Sequence, residues 1–342
     1  MTGIEKKTVI DLSKKGSRLF RSGRYDEAKE AYLQAHEIDQ ENPYVLSGLG
    51  DVYRKMCRFE ESSKFYDAVL KLDKDNVFAL RGAGDARRGM QFPEQAIPYW
   101  LRYLEINPKD SHVMVRVADA YHKLNNSSEA ISFYEQSLEI SHDDPFALLG
   151  LGNVYYADHD DERAIQCFER LLLGNTKNVV VMTMAGNIYR RRKEFDRAIE
   201  NYKRALELEP DNSFALFGMG DCYRGHQDLE QAVFWWDQIL KHEPENQTLW
   251  TRVGDALVNL DRLDEAVNRY ESSLKVGFDL YAYLGLARVA HKKEEQEAAI
   301  GFCKKALAKE KDHPRVLEEI AKLYDDVGDH ESAKAARDRI VD

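Results

Sequence analysis

Apolar residues recur along this chain at the spacing of amphipathic helices. Leu46, Leu49 and Tyr53 are three or four residues apart, and the same pattern returns over residues 148–155. Residues at this spacing lie on one face of an α-helix, so that face can be buried while the other meets water. The pattern predicts an all-α protein.

The helical pattern repeats about every 34 residues. A small residue marks the first helix of each repeat, and a second small residue follows twelve positions later. The position four residues further on is usually aromatic, and we call it the aromatic slot. The first small residues are Gly16, Gly50, Gly84, Ala118, Gly152, Gly186, Gly220, Gly254, Ala287 and Ala321. The aromatic residues are Tyr32, Tyr66, Trp100, Tyr134, Phe168, Tyr202, Trp236 and Tyr270. Small residues let two antiparallel helices approach closely, and the aromatic ring fills the gap against the next hairpin.

This pattern resembles that of the tetratricopeptide repeat family, most closely at 179–212 and 213–246. The resemblance implies a right-handed superhelical solenoid of ten antiparallel helical hairpins, with first helices lining a concave groove. The repeats are predicted to begin near residues 9, 43, 77, 111, 145, 179, 213, 247, 280 and 314. We therefore expect residues 1–342 to form a single solenoid, with a one-residue deletion near Gly277.

The repeat pattern departs from the family at the carboxyl end. The aromatic slot holds Cys303 in the ninth repeat and Arg337 in the tenth. Because a terminal helix needs a polar outer face, we expect the last repeat to act as a cap.

Composition narrows the class of partner. The chain of 342 residues is 32% charged and carries a formal net charge of -11. A phosphate backbone is an unsuitable general partner for such a chain, and no apolar run is long enough for membrane insertion or a signal peptide. The sequence therefore predicts a cytoplasmic protein, unless a targeting segment has been removed.

No catalytic or metal-binding motif is recognisable. The four cysteines form no C-x-x-C pair, and the ten histidines include no H-E-x-x-H pair. The acidic segment 158–162 lacks the spacing of a calcium loop, and an Asp capping a helix explains it better. We expect no enzymatic activity, no cofactor and no metal.

A ladder of Asp and Asn residues follows the small residues of seven consecutive repeats. Its members are Asp51, Asp85, Asp119, Asn153, Asn187, Asp221 and Asp255. Each except Asn153 has an Arg three positions before or after it, and residues three apart are adjacent on a helix. These arginines are Arg54, Arg88, Arg116, Arg190, Arg224 and Arg252, whereas Asn153 has Tyr156 instead.

Two readings of the ladder remain open. The pairs could neutralise one another on a wetted surface, each contributing at most about 1 kcal/mol. Alternatively, the ladder and its neighbours bind an extended peptide. It resembles the asparagine ladder in the repeat arm of the O-linked N-acetylglucosamine transferase, which holds substrate backbone. The Lys residues needed for a two-carboxylate clamp are absent beside Asn153 and Asn187, so that device is set aside.

A second recurring set is aromatic and lies near the start of the first helices. It comprises Tyr44, Phe78, Phe146, Phe214 and Tyr281. We expect these rings to pack between neighbouring repeats, with ligand contact as the alternative.

The sequence as a whole favours a non-catalytic scaffold that binds an extended segment of another protein in its groove. Two alternatives remain, namely a substrate-recruiting subunit of an enzyme or of a secretion or assembly complex on another chain, and a self-assembling scaffold that forms homo-oligomers.

Overall fold

The first compact unit of the protein, 1–176, consists of five helical hairpins in a computed structural model that describes residues 2–174 and 177–341. Helices pack on their neighbours in chain order, and first helices of adjacent repeats also touch, as α3 and α5 do. The helices are α1 Gly3–Arg21, α2 Tyr25–Ile38, α3 Pro43–Lys55, α4 Phe59–Leu72, α5 Val77–Gly89, α6 Pro93–Ile106, α7 Ser111–Lys123, α8 Ser127–Ile140, α9 Pro145–Ala157 and α10 Asp161–Leu173.

The second unit, 177–342, has the same hairpin architecture. Its helices are α11 Val179–Arg191, α12 Phe195–Leu208, α13 Ser213–Gly225, α14 Leu229–His242, α15 Gln247–Asn259, α16 Leu263–Val276, α17 Leu280–Lys292, α18 Gln296–Lys309, α19 Pro314–Asp326 and α20 His330–Val341. No strand occurs among the described residues, so the all-α repeat architecture is confirmed. The continuity of both units as one solenoid stays a prediction.

First helices begin at the predicted positions from the second repeat onward. The exception is α1, which starts at Gly3 rather than near residue 9 because Thr2 and Glu5 form a capping box. Later first helices up to α17 share an Asn or Asp cap whose side chain accepts from the first turn. These caps are Asn42, Asn76, Asp110, Asp144, Asn178, Asn212, Asn246 and Asp279.

The second helix of the fifth repeat starts as the acidic segment suggested. The Asp160 carboxylate accepts from the backbone N–H of Arg163 at 3.1 Å, and Glu162 lies in the first turn of α10. The negative charges favour the amino end of the helix. This segment is a helix start.

The two helices of each hairpin are joined by a turn with one left-handed residue. In the second repeat Cys57 has φ 59°, and the Arg58 N–H closes the turn on the Tyr53 carbonyl at 2.9 Å. Equivalent residues are Gln91, Asn125, His159, Lys193, Gln227, Asp261 and Glu294. The turn fixes the phase between first and second helices.

Buried aromatic rings are held between glycines of successive first helices. A Cβ on Gly50 would lie 2.8 Å from the Tyr66 ring, and one on Gly82 would lie 2.3 Å from the same ring. Tyr66 is 1% exposed. Close approach on both sides explains why small residues are needed on the first helix of its own hairpin, α3, and on the next first helix, α5.

The irregular features fall where the sequence suggested. The loop between α16 and α17 has three residues, 277–279, whereas the loop between α14 and α15 has four, 243–246. In the last hairpin Arg337 is exposed and pairs with Asp325, as suits a polar outer face.

Candidate functional site

The ladder residues lie in the first helices and meet the aromatic slot of their own hairpin. In four repeats the slot is Tyr, and its hydroxyl donates to the ladder side chain fifteen residues earlier. The pairs are Tyr66 with Asp51 at 2.8 Å, Tyr134 with Asp119 at 2.6 Å, Tyr202 with Asn187 at 2.8 Å and Tyr270 with Asp255 at 2.7 Å. Each bond ties the ladder residue to its own second helix.

Three of these tyrosines have raised pKa values. Burial, and then the neighbouring carboxylate, raise the pKa of Tyr66, Tyr134 and Tyr270 above the usual value. The hydroxyls therefore remain protonated donors throughout the neutral range.

Two ladder residues belong to repeats whose slot is Trp, which has no hydroxyl. Asp85, opposite Trp100, is 9% exposed, and Asp221, opposite Trp236, is 7% exposed. Arginines of adjacent repeats supply their donors instead. Asp85 accepts from Arg116 at 2.8 Å and lies 3.6 Å from Arg54.

Asp221 has the corresponding arrangement 136 residues later in the chain. It accepts from Arg190 at 2.8 Å and from Arg252 at 2.6 Å. Arg252 also lies over the Trp236 ring at 5.6 Å. Each unit thus contains one buried carboxylate held by arginines from the repeats before and after it, which we call an arginine clasp.

The group that donates to a ladder side chain is coupled to the residue that packs against the aromatic slot from the next hairpin. Each tyrosine ring of the aromatic slot is contacted by a glycine on the first helix of the following hairpin. The pairs are Tyr66 with Gly82, Tyr134 with Gly150, Tyr202 with Gly218 and Tyr270 with Gly285. Where the slot is Trp, the position equivalent to that glycine holds an arginine, which is Arg116 for Trp100 and Arg252 for Trp236. A Cβ on any of those glycines would lie 2.2 to 2.3 Å from the tyrosine ring. A Tyr hydroxyl and a following Arg are therefore alternative donors that exclude each other.

The predicted pairs within single helices form only in part. Arg54 pairs with Asp51 at 3.1 Å, and Arg224 pairs with Asp221 at 3.3 Å. Three predicted partnerships are wrong: Arg116 with Asp119, Arg252 with Asp255, and Arg88 with Asp85. Arg116 and Arg252 reach back to the preceding repeat, where the buried carboxylate lacks a hydroxyl donor.

Arg88 and Arg190 have other neighbours than the ladder pattern indicated. Arg88 lies over the Trp100 ring at 5.8 Å, without a carboxylate within 4.0 Å among the described residues. Arg190, three residues after Asn187, serves Asp221 instead. Asp255 gains Arg288 at 3.3 Å, a partner that the ladder pattern did not indicate.

Asn153 occupies the only Phe slot of the seven ladder repeats. Within the part of the chain that the structure describes, its Oδ1 atom is buried without a hydrogen-bond partner. Phe168 has no hydroxyl that could donate to this atom, and the centres of the Tyr156 and Phe168 rings are 6.4 Å apart. An uncharged side chain suits this site because an unpaired buried carboxylate costs far more than an unpaired amide.

The expected packing of the recurring aromatics is wrong. Phe146 is 68% exposed and Phe214 is 77% exposed, and Tyr44, Phe78 and Tyr281 are exposed as well. Each ring lies at the second position of its first helix, seven residues before the ladder position, except that Arg288 holds that position in the repeat of Tyr281. Positions seven apart share a helix face. Within each unit, the aromatics and the ladder thus line one surface of the first helices.

Two cavities open on this surface, one in each unit. The cavity of the first unit has a volume of about 630 Å³ and is lined by Phe146, Asp119, Asn153, Arg88 and Arg116 among others. The cavity of the second unit, about 1000 Å³, is lined by Phe214, Phe217, Asn187 and Arg190 among others.

Three of the four cysteines lie inside the protein. Cys167, Cys222 and Cys303 are buried, and burial raises their pKa values to about 11, 12 and 12. Within the described residues, no group of three or more His, Cys, Asp or Glu side chains could hold a metal ion. No described helix has the length and apolar character required to cross a bilayer.

Comparison with solved structures places the fold among known repeat proteins. The C-terminal part of a TPR repeat-containing protein from Cytophaga hutchinsonii is 16% identical, with 69% of this chain and 97% of that chain covered and a TM-score of 0.61. PilF of Pseudomonas aeruginosa is 17% identical, with 62% and 96% covered and a TM-score of 0.52. At these identities the likeness concerns the fold alone. No curated protein sequence matches the chain significantly.

Family models match most of the chain. A model described as TPR repeat matches residues 16–57, 118–158 and 186–227. Models described as tetratricopeptide repeat match 44–76, 147–178 and 251–314. Together with the twenty helices of the described residues and their repeating hairpins, these matches identify the chain as a member of the tetratricopeptide repeat family.

Proposed function

We propose that this protein is a non-catalytic scaffold that binds an extended segment of a partner protein along its first helices. The observation that carries the proposal is the row of exposed aromatic rings beside the ladder. Exposed apolar groups that recur along one face mark interaction surfaces more than singly scattered ones do, and interface contacts are enriched in aromatic residues.

The spacing of the row suits an extended chain. Neighbouring packed helices are about 8–10 Å apart, and an extended peptide advances about 3.3–3.6 Å per residue, so each repeat faces about three residues. A segment of roughly twelve residues would pass the four ladder positions of the first unit, and one of roughly nine would pass the three of the second. Aromatic rings would contact its side chains, and polar ladder groups would contact its backbone.

The ladder contributes to this site in two ways. The hydroxyl-bonded residues, such as Asp119 and Asn187, line the cavities and retain a second polar atom for a ligand. The clasped residues Asp85 and Asp221 are buried, so we assign them to holding the repeats and their arginines in place. A peptide would meet Arg88, Arg116 or Arg190 before it met those carboxylates.

Site-specific crosslinking tests the proposal. A photoreactive phenylalanine analogue is placed at Phe146 or at Phe214, and the full chain is irradiated in an extract of the source cell. The matched control is Phe234, which is 51% exposed but belongs to a second helix. We expect one protein to be captured at both groove positions and not at 234, with the crosslinks confined to one continuous segment.

Calorimetry with that segment then provides the quantitative test. Phe146→Ala with Phe214→Ala should weaken binding by at least about tenfold, whereas Phe234→Ala should leave it unchanged. Equal capture at all three positions, or unchanged affinity of the double variant, would contradict binding along the first helices.

A further inference from the structure

The cavity of the first unit contains charged groups of both signs whose roles differ. Its acidic groups are Asp110, Asp119 and Asp144, and its basic groups include Arg81, Arg88 and Arg116. The balance of charges alone does not define a ligand. What matters is which of these groups already has a partner in the protein.

The carboxylates are all engaged. Asp110 accepts from the Tyr103 hydroxyl at 2.7 Å and from the Val113 N–H at 3.1 Å. Asp144 accepts from two N–H groups at the start of α9, each at 2.9 Å, and is 7% exposed. Asp119 accepts from Tyr134. These groups cap helices and hold the hairpin, so they are poor partners for a ligand cation.

Two of the arginines are not neutralised. Arg81 and Arg88 are exposed, and neither has a carboxylate within 4.0 Å among the residues that the structure describes. Arg88 contacts the face of Trp100, which leaves its N–H groups free to donate. Arg81 is hydrogen-bonded to the Tyr103 hydroxyl, which itself donates to Asp110, but this hydroxyl is uncharged and does not neutralise the guanidinium.

The second unit provides an internal comparison, because its sequence repeats the first at a distance of 136 residues. The counterpart of Arg88 is Arg224, which pairs with Asp221 at 3.3 Å. The counterpart of Arg81 is Phe217. The two unpaired arginines of the first cavity therefore do not follow from the repeat pattern.

We propose that the first unit binds an acidic segment of its partner protein, with carboxylates of that segment paired to Arg81 and Arg88 and an apolar side chain against Phe146. This inference rests on the proposed function and specifies the chemistry of its ligand. Arg81 and Arg88 are seven residues apart on α5, which is about 10 Å along the helix. Two acidic residues three positions apart on an extended chain span the same distance, so this part of the segment would run along α5 before it crosses to the other repeats.

Two pools of fluorescein-labelled peptides of about ten residues test this assignment. One pool has two glutamates three positions apart with a leucine at one of the two positions between them, and the other has glutamines in place of the glutamates. Binding to the full chain is followed by fluorescence anisotropy. The glutamate pool should bind at least about fivefold more tightly than the glutamine pool, and this advantage should shrink as ionic strength rises.

Variants assign the preference to the two arginines. Arg81→Ala with Arg88→Ala should reduce glutamate-pool binding to the level of the glutamine pool. Arg224→Ala, which removes the paired counterpart, should leave the difference intact. Circular dichroism melting of each variant checks that the fold is retained.

Each contrary result has a distinct meaning. Equal binding of both pools to the wild-type chain would overturn the acidic preference but not peptide binding. A preference that survives in the double variant would overturn the role of these arginines. A third pool carries phosphoserine in place of the two glutamates, and tighter binding of that pool than of the glutamate pool would overturn the carboxylate assignment. No binding of any pool would overturn this inference alone, since the crosslinking experiment at Phe146 and Phe214 decides the proposed function separately.

Discussion

Arg116 donates to Asp85 at 2.8 Å across two neighbouring repeats, although the two residues are 31 positions apart in the sequence. The bond exists because Trp100 cannot supply the hydroxyl that Tyr supplies elsewhere. It is sterically allowed because the same Trp leaves room for a side chain on the next helix. One aromatic residue thus decides both the donor and the packing.

A double-mutant cycle tests this coupling. Trp100→Tyr alone places a tyrosine ring against Arg116, and Arg116→Gly alone leaves Asp85 buried with only the more distant Arg54. Each should cost about 1–4 kcal/mol in the free energy of unfolding. The double variant recreates the Tyr–Gly arrangement, so we expect it to be more stable than the sum predicts by about 1–2 kcal/mol.

The control cycle combines Trp100→Tyr with Lys123→Gly, which alters an exposed residue of the same helix α7. Urea unfolding of that pair should be additive. Additivity in the Trp100–Arg116 cycle as well would show that the two donors do not exclude each other.

The tyrosine hydroxyl bond can be removed in one repeat and added in another. Tyr134→Phe deprives Asp119 of its donor and should lower the free energy of unfolding by about 1–2 kcal/mol. Phe168→Tyr offers a hydroxyl to the unpartnered Oδ1 of Asn153 and should raise it by about 0.5–1.5 kcal/mol. Thermal melts of both variants provide the measurement. A loss of stability in Phe168→Tyr would mean that the fifth slot cannot accommodate the hydroxyl.

Two helical glycines should respond oppositely to the same substitution. A Cβ on Gly150 would lie 2.3 Å from the Tyr134 ring, so Gly150→Ala should destabilise the protein by about 1–3 kcal/mol. A Cβ on Gly301, within α18, would meet nothing within 4 Å. Gly301→Ala should therefore stabilise the protein by about 0.5–1 kcal/mol through helix propensity. Urea unfolding gives both values, and a shift of the same sign in the two variants would refute the packing explanation.

Stability should fall in alkaline solution. The pKa of Cys222 is raised to about 12 by burial, whereas an unfolded cysteine ionises near about 8.5. The stabilising contribution is complete below the unfolded value and is lost as the pH rises towards the folded one. Between pH 8 and pH 10 each buried thiol should cost about 2 kcal/mol, and the raised tyrosines add to the loss above about pH 10.

Matched variants separate this effect from general alkaline damage. Cys222→Ala should reduce the difference between urea unfolding at pH 8 and at pH 10, since Ala86 occupies the equivalent position in the first unit. Exposed Cys57 provides the control, because Cys57→Ser should leave the difference unchanged. The same difference in both variants would exclude Cys222 as its source.

Local sequence predicted the architecture because repeats bury their faces against immediate neighbours. The 34-residue spacing located nearly every start of a first helix. Pro43 and Pro145 each begin such a helix, as the fixed φ of proline favours. The hydrogen-bond partners of the ladder side chains could not be predicted in the same way. Arg116 lies three residues from Asp119, and nothing in that spacing indicates that it reaches Asp85 instead.

A signal for the cross-repeat bonds was nevertheless present in the residue types. Arg replaces Gly on the next helix wherever Trp replaces Tyr in the slot, at Arg116 and again at Arg252. The exposure of Phe146 and Phe214 could not be inferred in the same way. An aromatic residue at the start of a helix can cover a neighbour or face solvent, and the relative placement of adjacent hairpins decides between them.

Repeat proteins are often treated as strings from which any single motif can be removed or copied. The arginine clasps restrict that freedom. Removal of the hairpin that carries Arg54 or Arg116 leaves Asp85 buried with part of its charge uncompensated, which unlinked repeats would not experience. Genetic exchange in this chain should therefore be tolerated in blocks of three hairpins, with breakpoints outside 54–116 and 190–252.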